Sequence, residues 1–177
     1  PAKGVKILNP QVVRDQDIEV IYDQNNQLRL STHANNTINL TIDGEKQKVN
    51  VTDIPSPQIL SGDWQVSFMQ QYGLEKTVTF DTLVNFKDHS DPEINAYSGI
   101  SRYQKDFTLS NGLLASGQRI ILDLGELSDS AQVFINGVDA GVTWIAPFTL
   151  DVTNYLQAGK NSIRIDLASS WINRLIS

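Results

Sequence analysis

The stretch SAQVFINGVDAGVTWIAPFTLDVTNYL, residues 130–156, decides the fold. Two arms rich in β-branched and aromatic residues flank Asn136-Gly137, and this pair between two extended arms is the strongest short-range signal for a β-hairpin. Phe134 stands between two aliphatic residues, so apolar side chains point to both faces of the first arm. The stretch therefore predicts a hairpin whose first strand is covered on both sides.

Outside this hairpin, short runs of alternating apolar and polar residues recur about every ten residues, separated by polar turn formers. No apolar repeat with the helical period of about 3.6 residues is sustained. One or two helical turns are predicted only within residues 80–89, where Phe80, Leu83 and Val84 share one helical face. Strands at this spacing are typical of a sandwich, so the sequence predicts an all-β protein.

Two prolines divide the chain. Pro55 and Pro57 each remove a backbone donor and favour an extended conformation in the residue before them. The short alternating segments upstream predict a small antiparallel β meander over residues 1–58, the tail of a preceding module. Residues 59–177 are predicted to form the sandwich. The first residue is proline rather than methionine, which we interpret as a mature or excised piece of a longer protein.

The composition excludes several classes of function. The chain of 177 residues carries 14 Lys and Arg against 20 Asp and Glu, a formal charge of −6. Its basic residues are scattered, so we expect no nucleic-acid partner. No cysteine is present, which excludes disulfides and thiolate chemistry. No apolar run approaches the ~20 residues of a spanning helix, so we expect no membrane insertion.

The decisive stretch and the residues after it resemble the sugar-binding domain of family 2 glycoside hydrolases. The shared elements are Phe134-Ile-Asn-Gly, Gly141, Pro147-Phe148, Asp151-Val-Thr153, Leu156 and Gly159-Lys-Asn161. Upstream, SGDWQVSF at residues 61–68 and YSGISRYQKDFTL at residues 97–109 match the opening strands of that domain. The segments LDLGELSDSAQVFING and WINRLI are similar, more narrowly, to the C-terminal sandwich of α-L-rhamnosidase-like proteins of glycoside hydrolase family 106.

This resemblance implies a galactose-binding-like jelly-roll β-sandwich, preceded by the meander. It also implies a function as a non-catalytic accessory module of a larger bacterial glycoside hydrolase, either α-L-rhamnosidase-like or β-glycosidase-like. Such a module binds carbohydrate or shapes the cleft of the catalytic domain. The expected partners are therefore a carbohydrate and the catalytic domain of the parent chain, and the expected location is periplasmic or extracellular.

Sugar binding requires an aromatic face, against which the C–H side of a pyranose packs, beside planar polar groups that bond its hydroxyls. The candidate ligand-binding residues are Trp144, Trp171, Tyr97, Asn173 and Arg174. The tryptophans also have structural interpretations, Trp144 as a core plug and Trp171 as a lock for the chain terminus, and Tyr97 fits a packing role. Both alternatives stay open for each residue.

A second candidate site is the segment KDHSDPE at residues 87–93. Asp88, Asp91 and Glu93 offer the carboxylate oxygens that calcium prefers. Galactose-binding-like sandwiches often carry a structural calcium, so the resemblance adds to this expectation. The alternative is a solvated charged loop. The two histidines lack metal-ligand spacing, and we expect no cofactor apart from such a calcium.

Asp123, Glu126 and Asp129 are the carboxylates that come closest to the pair which glycoside hydrolysis requires. Catalytic carboxylates would converge in a pocket where the pKa of one is raised. The alternative is a charged connecting loop, and in the families that the chain resembles the catalytic carboxylates lie on a separate barrel domain. We therefore predict no catalytic residue here. Three classes stay open: a carbohydrate-binding module, a purely structural interdomain module, and a glycosidase domain in its own right.

Overall fold

The computed structural model describes residues 6–7, 18–22, 27–42, 44–69, 76–110, 112–114, 118–127 and 129–168. The chain divides into two compact units, an N-terminal unit of Pro1–Pro57 and a C-terminal unit of Gln58–Ser177. Strands dominate the described residues of both units, which confirms the prediction of an all-β protein.

The described part of the N-terminal unit contains five strands in two antiparallel sheets. They are β1 (Lys6–Ile7), β2 (Ile18–Tyr22), β3 (Leu28–Thr32), β4 (Asn36–Ile42) and β5 (Glu45–Val51). β1, β4 and β5 form one sheet, and β2 and β3 form the other, over a core that contains Ile18, Ile38 and Leu40. The predicted meander is therefore interrupted after β3. There the backbone N–H of Ala34 donates to Thr32 Oγ1 in a local bend.

The C-terminal unit is built on a six-stranded antiparallel sheet. The described part of this unit contains eight strands: β6 (Trp64–Phe68), β7 (Lys76–Phe80), β8 (Ile100–Leu109), β9 (Ile121–Asp123), β10 (Ala131–Ile135), β11 (Val138–Thr143), β12 (Thr149–Asp151) and β13 (Gly159–Ala168). The large sheet has the order β11-β10-β13-β8-β6-β7, and β9 pairs with β12 in a separate ladder. The pairing of β10 with β11 confirms the predicted hairpin.

The apolar core lies between the large sheet and a second layer made of β9, β12 and short helical turns. Its buried residues are Trp64, Val66, Phe68, Phe80, Phe86, Ile94, Val133, Ile135, Val152 and Ile163. Leu122 and Leu150 pair across the small ladder and pack against this core. The arrangement is a β-sandwich, and the opposite surface of the large sheet, here called the outer face, carries the alternate residues of each strand.

A helical turn is present within residues 80–89, as predicted, but the apolar face assigned to Phe80, Leu83 and Val84 is wrong. Phe80 ends β7, and Leu83 and Val84 are exposed. The helical turns lie further on, as a 3₁₀ turn at Phe86–Asp88 and the single α-helical turn α1 at Pro92–Asn95. They form there because Asn and Asp side chains cap their first N–H groups and each turn buries one apolar residue against the core.

The hairpin contains a β-bulge. Val133 pairs with Gly141, whereas Phe134 pairs with Asp139, so Ala140 is an extra residue in β11. Gly141 has a φ of +124°, a conformation that favours glycine. The bulge therefore explains why the resemblance includes a glycine inside the second arm.

Two asparagine side chains tie the hairpin turn to the next strand. Asn136 and Gly137 have φ values of +52° and +80°, the left-handed conformations that this two-residue turn requires. Asn136 Nδ2 donates to Asn161 Oδ1 and to the carbonyl of Tyr155, both at 2.9 Å. Asn136 Oδ1 accepts a hydrogen bond from the backbone N–H of Ser162 at 2.9 Å. One side chain thus joins the turn to β13 and to the segment before it.

Asn161 completes this connection from the other side. It is 4% exposed, and its Nδ2 donates to the carbonyls of Gln157 at 2.8 Å and Gly159 at 2.9 Å. Its Oδ1 accepts from Gln157 N as well as from Asn136. The Asn-Gly and Gly-Lys-Asn elements of the sequence are therefore two halves of one structural feature, which we call the asparagine bridge (Asn136 and Asn161).

Replacing Asn161 with alanine should destabilise the C-terminal unit by about 3 kcal/mol, because three partly buried hydrogen bonds to backbone groups are lost, each worth about 1 kcal/mol. Urea unfolding followed by tryptophan fluorescence, to which buried Trp64 contributes, measures this loss. The matched control is Asn154→Ala at an exposed position, which should cost less than about 0.5 kcal/mol. Equal effects of the two variants would contradict a structural role of the bridge.

Tyr103 should make the stability of the protein fall at alkaline pH. Burial raises the pKa of its phenol to about 12, against the opposing effect of a hydrogen bond with Ser101. The unfolded phenol ionises near pH 10. The contribution of Tyr103 is therefore complete below about pH 10 and is lost as the pH rises toward 12. Urea unfolding across this range should show a shallower decline for Tyr103→Phe, and an unchanged slope would contradict the assignment.

Candidate functional site

The loop after β11 presents exposed apolar side chains. Trp144 is 73% exposed and Ile145 is 67% exposed. The preceding residue, Thr143, is buried, so the alternation of the strand brings Trp144 to the same side as the exposed Val142. Of the two interpretations of Trp144, the structure therefore places it on the rim of the sandwich and not in the core.

Tyr97 lies instead against the core. Its ring packs edge-on against Phe68, with 4.9 Å between the ring centroids. Its hydroxyl is within hydrogen-bonding distance of the backbone carbonyls of Ile100 at 2.7 Å and Met69 at 2.9 Å. Burial raises the pKa of the Tyr97 phenol. These contacts use the side chain for packing, as its structural interpretation predicts. The other three candidates, Trp171, Asn173 and Arg174, lie outside the described residues.

The predicted calcium ligands contact a lysine. Lys76 Nζ lies 2.7 Å from Asp91 Oδ2 and 2.8 Å from Glu93 Oε2, and Asp91 Oδ1 caps α1 by accepting from Glu93 N. The hydrogen bond from Lys76 lowers the pKa of Asp91. Asp88 belongs to the neighbouring 3₁₀ turn. Within the described ranges, no group of three or more His, Asp or Glu side chains could hold a metal ion. The calcium site stays a prediction, and a lysine ammonium supplies the positive charge in this geometry.

The carboxylates considered for catalysis lie around the connection after β9. Asp123 Oδ1 accepts a hydrogen bond from Gly125 N at 2.8 Å, which closes a tight turn. Asp123 and Glu126 are exposed, and Asp129 is partly buried. The local contact of Asp123 supports the interpretation of these residues as charges of a connecting loop.

The outer face carries a cluster that the sequence did not reveal. Arg102 binds Asp166 through two hydrogen bonds, from Nε at 2.8 Å and from Nη2 at 3.2 Å. The guanidinium of Arg164 lies 3.6 Å from the ring centroid of Phe134. Its Nε is 3.6 Å from Asp166 Oδ1, so Asp166 stands between two arginines. The sequence feature that could have indicated this cluster is the alternation of polar and apolar residues along β8 and β13. It places Arg102, Arg164 and Asp166 on the polar side of their strands.

The fold and these surfaces define a galactose-binding-like β-sandwich. Residues 74–175 match the family described as glycosyl hydrolase 2 galactose-binding domain-like. The chain belongs to this family, which confirms the predicted relationship to the sugar-binding domain of family 2 glycoside hydrolases.

One relative is a putative beta-glucuronidase of the bacterium Formosa agariphila. It is 36% identical over 135 residues, which make up 76% of this chain and 12% of the relative. The chain thus spans about an eighth of the curated relative that it matches.

Solved structures share the fold. A rhamnosidase from Novosphingobium sp. PP1Y is 23% identical and superimposes with a TM-score of 0.62, over 98% of this chain and 21% of that chain. The beta-glucuronidase of Bifidobacterium dentium, solved with coumarin-3-O-glucuronide, is 25% identical with a TM-score of 0.52, over 62% of this chain and 19% of that chain. In both structures the matched region is about a fifth of the chain.

In the described portion of the chain, no helix combines the length and the apolar character that crossing a membrane requires.

The exposure of Trp144 predicts a fluorescence result. Acrylamide should quench the wild-type protein more strongly than Trp144→Phe, because the variant lacks an indole that is 73% exposed. Trp64→Phe is the matched change at a buried indole. In this variant the strongly quenched part of the tryptophan fluorescence should remain. Trp144→Ala should change the free energy of unfolding by less than about 1 kcal/mol, as is usual for surface substitutions. A large loss of stability in Trp144→Ala would contradict the rim position.

Proposed function

We propose that this chain is a non-catalytic accessory module of a larger bacterial glycoside hydrolase, and that it binds carbohydrate. The observation that carries the proposal is Trp144, a large aromatic side chain held exposed at the rim of a galactose-binding-like sandwich. An exposed indole offers a flat apolar face to the C–H side of a sugar ring. Single exposed apolar residues are ordinary, but a tryptophan beside exposed Val142 and Ile145 forms a patch that suits a partner.

The comparisons support the accessory role. The relative and the two solved structures are glycosidases by name, and each contains a region like this chain as a small part of its length. The activity of the parent protein, α-L-rhamnosidase-like or β-glycosidase-like, is inferred from these names. The turn formed by Asp123 supports the view that hydrolysis takes place on another domain. A periplasmic or extracellular location, where polymeric glycans are found, is part of the same proposal.

A purely structural interdomain module is the second candidate. Val138, Val142 and Ile145 are more than half exposed, and such apolar residues suit burial against a neighbouring domain. Trp144 belongs to the same exposed patch, so this candidate expects it to be buried in the parent protein by the neighbouring domain. The catalytic domain of the parent chain is a partner in both candidates, and only the first candidate also requires a sugar.

A thermal-shift screen of the 177-residue chain tests the proposal. The ligands are rhamnose, galactose, glucuronic acid and pectic fragments. We expect one class to raise the melting temperature of the wild type and to lose this effect in Trp144→Ala, because the variant removes the aromatic platform. The matched control is Ile59→Ala, at another strongly exposed apolar residue, which should behave as wild type.

Two results would contradict the proposal. Absence of any shift across the panel would favour the structural module. Release of sugar from nitrophenyl glycosides by the chain alone would show that it is a catalyst.

A further inference from the structure

The outer face carries planar polar side chains in register across neighbouring strands. Gln65 of β6 lies opposite Gln104 of β8. Gln104 lies opposite Arg164 of β13, which in turn lies opposite Phe134 of β10. Directly opposite residues project to the same face of a sheet. Two amides, a guanidinium and a phenyl ring therefore form one row, which is about 14 Å long because strands lie about 4.8 Å apart.

A second row runs beside the first. Val142 of β11 lies opposite Gln132 of β10, and Gln132 lies opposite Asp166 of β13. Asp166 lies opposite Arg102 of β8. Trp144 follows Val142 by two residues, just past the end of β11, so the exposed apolar rim adjoins this row of planar hydrogen-bonding groups. These are the two surface types that a pyranose requires, for its C–H face and for its hydroxyls.

The contacts within the face hold its polar groups in place. Stacking on Phe134 fixes the plane of the Arg164 guanidinium while 34% of that side chain stays exposed. The paired hydrogen bonds between Arg102 and Asp166 fix the second row. Side chains that are ordered before binding lose little conformational entropy when a ligand arrives. The face is therefore preorganised for hydrogen bonding.

The charges of the face balance. Within the strands of the large sheet, the charged residues that alternate to the outer face are three cations and three anions: Arg102, Lys160 and Arg164, and Asp106, Asp139 and Asp166. A polyanionic ligand would gain no net attraction from such a surface, and the whole chain has a formal charge of −6. The balance favours an uncharged ligand.

We propose that the outer face binds an extended neutral oligosaccharide that lies across β11, β10, β13 and β8. This inference rests on the proposed carbohydrate-binding function and names its ligand class and its surface. An open sheet face contacts a single sugar weakly, because it surrounds little of it. It gains affinity by contacting several rings along its rows.

Calorimetric titration of the full 177-residue chain tests the inference. The probes are hexasaccharides of galactan, xylan and mannan, the corresponding monosaccharides, and hexagalacturonate as the acidic comparison. We expect at least one neutral hexasaccharide to bind more tightly than its monosaccharide and than hexagalacturonate. Gln104→Ala and Arg164→Met should each weaken that binding about tenfold, the effect of one lost hydrogen bond to a charged or amide group. Arg164→Met keeps an unbranched stem above Phe134, and Gln47→Ala on exposed β5 is the matched control.

Three outcomes would overturn the inference. Unchanged affinity in both outer-face variants, with binding lost in Trp144→Ala, would confine the site to the loop and leave the proposed function standing. Tighter binding of hexagalacturonate, or equal binding of the monosaccharide, would refute the ligand class. Absence of binding to every probe would refute the inference, and the proposed carbohydrate-binding function would then be decided by the thermal-shift screen with rhamnose, glucuronic acid and pectic fragments. The circular dichroism spectra and melting temperatures of the variants must match those of the wild type. If Arg164→Met does not fold, Gln104→Ala alone tests the outer face.

Discussion

The asparagine bridge is the constraint on which the sandwich depends. Asn136 sits in a turn with positive φ, and its amide replaces a backbone partner for Ser162 at the start of the pairing between β10 and β13. Asn161 holds the turn that leads into β13 through the N–H and carbonyl of Gln157 and the carbonyl of Gly159. Since β13 lies between β10 and β8 at the centre of the large sheet, this bridge fixes the register that aligns the rows of the outer face.

The sequence predicts what depends on neighbouring residues. The hairpin could be predicted from Asn136-Gly137, because two residues decide a tight turn. The family could be predicted from the spacing of the turn residues around this pair. The helical turn expected within residues 80–89 lies at the end of that range, at Phe86–Asp88. Its predicted apolar face was wrong, because periodicity alone could not show that Phe80 belongs to a strand and that the buried residue is Phe86. The exposure of Trp144 could not be predicted either, since it depends on where β11 ends relative to the second layer.

The cluster on the outer face shows the other limit of sequence reasoning. Arg102 and Asp166 are 64 positions apart, and their contact exists only because β8 and β13 pair in one particular register. A shift of β13 by one residue would move Asp166 to the core face and leave Arg102 on the outer face without it. The predicted site residues came from local composition, which finds tryptophans and carboxylates but not groups that converge across strands. Tyr97 illustrates this, because its loop position suggested exposure and the fold uses its hydroxyl internally.

The bulge in β11 has a consequence for how copies of this protein behave together. β11 is an edge strand of the large sheet, and it carries exposed valines, which is the combination that invites another chain to pair and aggregate. The extra residue at Ala140 breaks the even spacing of outward backbone groups along this edge. An incoming strand therefore meets a kinked ladder in place of a regular one, which is one of the ways in which natural sheets protect an exposed edge against pairing.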